Sequence, residues 1–171
     1  ATFDLGDGIW LTTKYLNHPI LCLGYRFEYR GRSFVTLYDN EPFRNVFPTD
    51  PSDPQYEEAY AREGEEAARE QNDKILAFMS GADLLVHDTQ YTAKEYVSGK
   101  VGWGHSSFEH AINAAHKAGV KRLLLFHHDP NRTDTELQEL EIFYQARLRG
   151  RTSMNVEMSR EGTLYTIDSV E

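Results

Sequence analysis

The first forty residues alternate between apolar and polar positions in the manner of β-strands. Residues 9–16 (IWLTTKYL) and 20–29 (ILCLGYRFEY) are rich in β-branched and aromatic side chains. A tight turn at residues 30–32 leads into residues 33–38 (SFVTLY), and this third strand ends at Asp39. The pattern therefore predicts antiparallel strands at the start of the chain.

The pattern changes after residue 40. Four prolines within residues 41–54 indicate a loop, and residues 56–79 predict a charged helix with a solvated face. Residues 83–86 (DLLV) form a short apolar strand, and residues 121–126 (KRLLLF) are almost uninterruptedly apolar. Such runs are typical of parallel strands that are covered on both faces.

Two capping boxes predict where later helices begin. Residues 106–109 (SSFE) place an N-cap at Ser106 for a helix that stops at Gly119. Residues 133–136 (TDTE) open a second helix that extends to about Leu148. Helices in these positions would alternate with the strands of the second half of the chain.

A final hairpin of residues 155–158 and 163–167 completes the predicted elements. Antiparallel strands followed by alternating strands and helices indicate an α/β or α+β layered fold. Residues 1–171 are predicted to form a single domain, and the loop and charged helix of residues 41–80 are a candidate insertion.

The composition narrows the range of partners and compartments. The chain has 171 residues and a formal net charge of -9, so no long nucleic acid or anionic membrane is expected as a partner. Cys22 is the only cysteine, which excludes a disulfide framework and a thiolate zinc cluster. No apolar run could span a bilayer and no signal peptide precedes the strands, so a soluble, cytoplasmic protein is expected.

Candidate chemistry collects at the predicted strand ends. His18, Asp39, Asp88, His105 and His127 each end a strand or follow one in a loop. Loops at strand ends converge on one edge of a sheet in α/β folds, and imidazole and carboxylate groups there are suitable metal ligands. Each residue also has an ordinary structural interpretation, such as a turn histidine or an Asx-turn.

Five short motifs share this placement and occur in a fixed order. They are LNHP with LGYR (16–19 and 23–26), LYDN (37–40), VHDT (86–89), GHSS (104–107) and LLFH (124–127). Together they resemble the metal-binding loops of ribonuclease Z-like proteins of the metallo-β-lactamase superfamily, over roughly residues 9–131.

The resemblance implies a site and a fold. It implies that His18, Asp39 and His127 are ligands of two divalent metal ions, zinc first and manganese or iron as alternatives, with Asp39 as the bridging ligand. His105 would act as an electrophile or proton donor at the leaving oxygen. Asp88 stands where the family has Glu and would orient His105 or relay its proton. The implied fold is half of an αββα sandwich, with one mixed sheet and helices on its outer face.

The superfamily's His-x-His-x-Asp-His loop does not occur in this sequence. We therefore expect the chain to represent the C-terminal half of the fold. Its partner would be its own N-terminal half or a second copy of the chain, because a lone half leaves an apolar sheet face open to water. Metal binding by this chain alone is expected to be weak or absent.

The function expected of the parent protein is metal-dependent hydrolysis of a small phosphodiester, such as a cyclic nucleotide. The acidic segment of residues 41–74 argues against a transfer-RNA substrate. Hydrolysis of another ester or amide is an alternative, because the scaffold supports many reactions. A non-catalytic half-domain for dimerisation or regulation and an unrelated α/β binding domain are the other hypotheses.

Overall fold

The alternating segment at the start of the chain forms an antiparallel meander. The structure, a computed structural model, describes residues 1–167. Its first four strands are β1 (Thr2–Asp4), β2 (Trp10–Tyr15), β3 (Leu23–Tyr29) and β4 (Arg32–Leu37). Arg30 and Gly31 join β3 to β4 with φ values of 47° and 71°. Two successive residues with positive φ are what a tight hairpin turn of this twist requires.

Three further strands extend this sheet in parallel. They are β5 (Leu84–Asp88), β6 (Arg122–Phe126) and β7 (Asn155–Met158), and the seven strands lie in chain order from β1 to β7. Strands β4 to β7 all run in the same direction. Their carboxyl ends therefore lie at one edge of the sheet, as the sequence predicts for this α/β arrangement.

Helices cover one face of the sheet. They are α1 (Glu58–Met79), α2 (Ala93–Val97), α3 (Phe108–Lys117) and α4 (Asp134–Leu148). The core joins apolar residues of α1 and α3 to alternate residues of the parallel strands, among them Leu37, Leu85 and Leu125. Alternate residues share a face of a strand, so this core lies on a single side of the sheet.

The opposite face of the sheet is less completely covered. Phe27 and Phe34 stack there with ring centroids 6.1 Å apart and are only partly buried. Phe126 of β6 lies on the same face of the sheet, as its register with β5 shows, and it is 39% exposed. The fold is thus one mixed sheet with helices on one side, which confirms the predicted fold class.

Two details of the predicted elements are wrong. The N-cap of α3 is Ser107 and not Ser106. The Ser106 hydroxyl donates instead to the Asn40 carbonyl. The Glu109 carboxylate accepts from Ala93 N and from the Tyr144 hydroxyl, so it does not complete a capping box. The final hairpin does not form, because β7 pairs in parallel with β6 and residues 163–167 contain no strand.

Other elements agree with the sequence or were not foreseen. The capping box at Thr133 and Glu136 forms as predicted. Strand β1 and helix α2 were not predicted, although Thr92 and Glu95 form a capping box of the same kind. Within residues 1–167, none of the helices has the length and apolar character that crossing a bilayer requires.

Two histidines lie at this core, one fully buried and one partly buried. His87 of β5 is fully buried, and its ring lies 6.4 Å from that of His110 in α3. Burial, with the nearby His110, lowers the pKa of His87 to about 3. Burial and the positive charge of Lys117 lower the pKa of His110 to about 4. Both rings are therefore neutral in the folded protein at neutral pH.

The partly buried His110 should make folding stability depend on pH. Its pKa is lower in the folded chain than in the unfolded one, where a histidine titrates near 6.5, so its contribution is complete above pH 6.5 and is lost as the pH falls toward 4. At pH 5 the loss amounts to about 2 kcal/mol. We predict that His110→Leu reduces, by about this amount, the difference between urea unfolding free energies measured at pH 7 and pH 5, and that the difference that remains includes the contribution of His87.

Ile112→Val is the control, since Ile112 is buried on the same helix and does not titrate. It should lower stability equally at both pH values. A His110→Leu protein that keeps the wild-type pH dependence would contradict the prediction.

Candidate metal centre

Three site residues are placed by the carboxyl ends of neighbouring parallel strands. Asp88 is the last residue of β5, Asp39 follows β4 and His127 follows β6. Asp39 and His127 have φ values of 45° and 57°. This left-handed conformation costs a non-glycine residue about 1–3 kcal/mol and is retained where the surrounding structure enforces it, often at functional sites.

His105 joins this edge from the loop between α2 and α3. Its Nδ1 lies 2.8 Å from Asp88 Oδ2, and its ring stacks on that of His127 with centroids 4.9 Å apart. Asp39 Oδ1 lies 3.2 Å from His127 Nε2 and 4.0 Å from His105 Nδ1. One ligand atom from each of Asp39, Asp88, His105 and His127 lies within 4.8 Å of the others.

The chemistry of these donors fits a divalent metal ion. The buried oxygens Asp39 Oδ1 and Asp88 Oδ1 have no hydrogen-bond partner within the described residues. An unpartnered buried carboxylate oxygen is costly, and a cation would satisfy it. Two ligands that each bind zinc at about 2.0–2.2 Å lie roughly 3.0–3.5 Å apart, and the observed separation of Asp39 Oδ1 from His127 Nε2 falls in that range.

The electrostatics of the edge favour a proton shared between His105 and Asp88. Burial raises the pKa of Asp88, although hydrogen bonds from His105 and from Asn40 N oppose that rise. Burial alone would lower the pKa of His105, but the Asp88 carboxylate at its Nδ1 and the charges of Asp39 and Glu41 raise it overall. His105 and Asp88 together therefore hold a proton strongly, and the hydrogen bond to Asp88 occupies Nδ1 of the His105 ring.

His18 lies beside the group of four and is not part of it. Its ring centroid is 5.4 Å from that of His105, and its Nδ1 lies 3.0 Å from the carbonyl of Ile20. The structure thus brings together four of the five predicted site residues. The assignment of His18 as a metal ligand stays a prediction, as do the individual roles of the other four.

Some supporting residues were missed by the sequence analysis. Gln90 Nε2 lies 3.1 Å from His127 Nδ1, which orients that ring. Asn40 N donates to Asp88 Oδ2, and Asn40 Oδ1 accepts from Asn17 N beside His18. Their only sequence signal is their position, since Asn40 is the last residue of the LYDN motif and Gln90 directly follows the VHDT motif.

A cavity elsewhere in the fold does not include the candidate centre. This cavity, of about 690 Å³, lies between α1, α3 and residues 40–49. Neither Asp39, His105 nor His127 lines it. The centre is instead at the rim of the sheet, where His127 is 37% exposed at its side chain.

Gly104 shapes the contact between the loop of His105 and His18. Its φ of 88° is in the left-handed region, and a Cβ built on it would overlap His18 Cδ2 and Pro19 Cδ. Gly102 in the same loop has a φ of 84°, but a Cβ there would meet no atom within 4 Å. Comparing substitutions at Gly102 and Gly104 therefore distinguishes the cost of a left-handed backbone from the cost of overlap with His18 and Pro19.

We predict that Gly104→Ala lowers the free energy of unfolding by about 2–4 kcal/mol, because a left-handed alanine costs about 1–2 kcal/mol and the overlap adds a similar amount. Gly102→Ala should lower the free energy of unfolding only by the cost of a left-handed alanine, about 1–2 kcal/mol. The imidazole resonances of His18, followed by NMR, should shift in the first variant and not in the second. Equal effects of the two substitutions would show that the contact with His18 is unimportant.

Comparisons with known proteins identify related sequences. A family described as "Beta-lactamase superfamily domain" matches residues 67–128. Ribonuclease Z of Lactococcus lactis subsp. lactis is 30% identical over 141 aligned residues, covering 71% of this chain and 46% of that protein.

Solved structures share the fold. The metallo-β-lactamase fold protein YhfI from Bacillus subtilis superimposes with a TM-score of 0.60 at 17% identity, over 97% of this chain and 52% of that chain. The short form of human tRNase Z gives a TM-score of 0.59 at 18% identity, over 97% and 46% of the two chains. This chain spans about half the length of each of these proteins. It is a ribonuclease Z-like member of the metallo-β-lactamase superfamily.

Proposed function

We propose that this chain belongs to a metal-dependent hydrolase that cleaves a phosphodiester. The observation that carries the proposal is the group of Asp39, Asp88, His105 and His127, whose ligand atoms lie within 4.8 Å of one another. Two of the carboxylate oxygens in this group are buried without a hydrogen-bond partner among the described residues. Divalent ions bound here would supply a Lewis acid and a water of lowered pKa.

The chain's own residues would orient and protonate the substrate. Asp88 accepts the Nδ1 proton of His105, which leaves Nε2 of the ring to face the reacting group. Because the pKa of His105 is raised, this ring can hold a proton and donate it to the leaving oxygen. Gln90, at 3.1 Å from Nδ1 of His127, would direct Nε2 of that ring toward Asp39.

We further propose that two metal ions are bound and that residues outside this chain complete their coordination. Of the group of four, we assign Asp39 and His127 as ligands and Asp88 and His105 as the pair that holds and donates a proton. With the neighbouring His18 as a third ligand, the chain supplies too few for two ions that each need about four. Zinc is the preferred ion, and manganese or iron are alternatives with the same ligand types.

A second part of the fold, or a second copy of this chain, would supply the missing ligands and cover the open face of the sheet. Support comes from the exposed and partly exposed aromatic residues of that face, including Phe27, Phe34 and Phe126. Monomers rarely leave large apolar patches in water. The relatives, which are about twice as long as the matched region, are consistent with a second part.

A small phosphodiester is the proposed substrate. The relatives named ribonuclease Z suggest phosphodiester chemistry, but the present chain has a net charge of -9. Gripping a long nucleic acid requires clustered Lys and Arg residues to neutralise phosphates. The first half of α1 is instead rich in glutamate, with Glu58, Glu63, Glu65 and Glu66 all within residues 58–66.

The role of His105 predicts a specific kinetic defect. In the intact protein, His105→Ala should lower kcat for a cyclic mononucleotide, whose alkoxide leaving group needs a proton, by about 10²–10⁴-fold, the usual contribution of a general acid. Metal content, measured by atomic emission on the same samples, should be unchanged. Loss of the metal would instead identify His105 as a ligand and overturn the proton-donor role.

The matched control is His116→Ala, because His116 is an exposed histidine on α3 that contacts Thr152 rather than the centre. It should hydrolyse the ester at the wild-type rate. A cyclic mononucleotide and a transfer-RNA precursor, assayed in parallel, distinguish a small substrate from RNA. Faster cleavage of the RNA would contradict the proposed substrate class.

Metal binding should require more than this chain. We predict that residues 1–171 alone retain less than one zinc ion per chain after dialysis, and that the intact protein with its complementary part retains two. A dinuclear site held tightly by the isolated chain would contradict the shared-site proposal. A protein that forms dimers but binds no metal would favour a non-catalytic dimerisation module.

A further inference from the structure

Glu41 is a buried carboxylate that binds the loop before His105. It is only 5% exposed, and within residues 1–167 it forms no ion pair with Lys or Arg. Its Oε1 accepts from the Tyr96 hydroxyl at 2.5 Å and from Gly102 N at 2.7 Å. Its Oε2 accepts from Gly104 N at 2.8 Å. A buried carboxylate needs such donors, so Glu41 and this loop constrain each other.

The same short segment holds His105 from both sides. Gly104, the residue before His105, donates to Glu41, and Ser106, the residue after it, donates from Oγ to the carbonyl of Asn40 at 2.5 Å. Asn40 N also donates to Asp88 Oδ2, the oxygen that binds His105 Nδ1. Residues 40 and 41 therefore contact both neighbours of His105 and its carboxylate partner.

The contact extends to His18. Glu41 N donates to the carbonyl of Asn17, the residue before His18, at 2.9 Å. Gly104, which Glu41 binds, packs so closely against the His18 ring that a Cβ would not fit. A shift of the Gly104 backbone would therefore change the positions of both His105 and His18.

The Tyr96 hydroxyl stays protonated and therefore keeps donating its hydrogen bond to Glu41. Burial and the hydrogen bond to Glu41 raise the pKa of Tyr96 to about 12, so its hydroxyl remains a donor throughout the neutral range. Tyr96 is buried at the end of α2. The Glu41 carboxylate thus joins the segment after β4 to α2 as well as to the loop that follows it.

We propose that Glu41 is a positioning residue, which fixes the Gly102–Gly104 loop so that His105 lies against Asp88 and beside His18. The functional part of this inference rests on the proposed hydrolase. The structural part concerns only this chain and can be measured without metal or substrate.

Glu41→Gln is the informative substitution. An amide has one acceptor oxygen, so in either orientation its NH₂ group must face an N–H or O–H donor of the loop. In the intact, metal-free protein we expect faster amide hydrogen exchange at Gly104 and shifted NMR resonances of the His105 and His18 rings. In the metal-loaded protein we expect kcat to fall by about 10–100-fold, with KM changed by less than about threefold, because misplacement by 1 Å has effects of this size.

Asp83→Asn is the matched control. Asp83 is also a buried carboxylate that accepts several hydrogen bonds, from Arg32, Ser33 N and Lys121, but it lies at the opposite end of β5. It should lower stability without altering Gly104 exchange, the histidine resonances or kcat. Tyr96→Phe removes one donor and leaves both glycine amides bound, so it should have a smaller effect than Glu41→Gln.

Wild-type exchange at Gly104 and unshifted histidine resonances in Glu41→Gln would overturn the proposal. The same changes in Asp83→Asn would also overturn it, because they would reflect general destabilisation. If the resonances shift as expected but the wild-type protein hydrolyses no phosphodiester, the positioning role stands and the proposed function fails.

Discussion

The structure depends on the burial of carboxylates at one edge of the sheet without a basic side chain to neutralise them. Within residues 1–167, neither Asp39, Glu41 nor Asp88 forms an ion pair with Lys or Arg. Their partners are imidazoles, backbone amides and a phenol, supplied by helix α2 and by the loops after β4, before α3 and after β6. Satisfying these oxygens therefore determines the path of those loops, and it leaves negative charge that a metal ion can balance.

The strand-end part of the site could be predicted from the sequence. Asp39, Asp88 and His127 each end or directly follow an apolar run, and the carboxyl ends of parallel strands meet at one edge whatever the details of packing. His105 is different, since it comes from a loop seventeen residues after Asp88. Its predicted position just after a strand is wrong, because His105 lies between α2 and α3. The resemblance of its motif to a known family is what indicated that it would join the others.

Other features could not be predicted because their partners are distant in the chain. The SSFE motif fits a capping box at Ser106, but the Asn40 carbonyl takes the Ser106 hydroxyl and Tyr144 competes for the Glu109 carboxylate. Glu41 in a proline-rich loop has the composition of a surface residue, and its burial depends on donors more than fifty positions away. In these cases a tertiary contact outweighs a local preference.

The left-handed backbone of Asp39 and His127 places stability and activity in conflict. Glycine would adopt these φ values without strain, so replacing either residue by glycine would relieve the backbone while removing a proposed metal donor. Selection for thermal stability alone, as in directed evolution of a scaffold, would therefore tend to erase the centre. Retention of both side chains in strained positions is what selection for chemistry would leave behind.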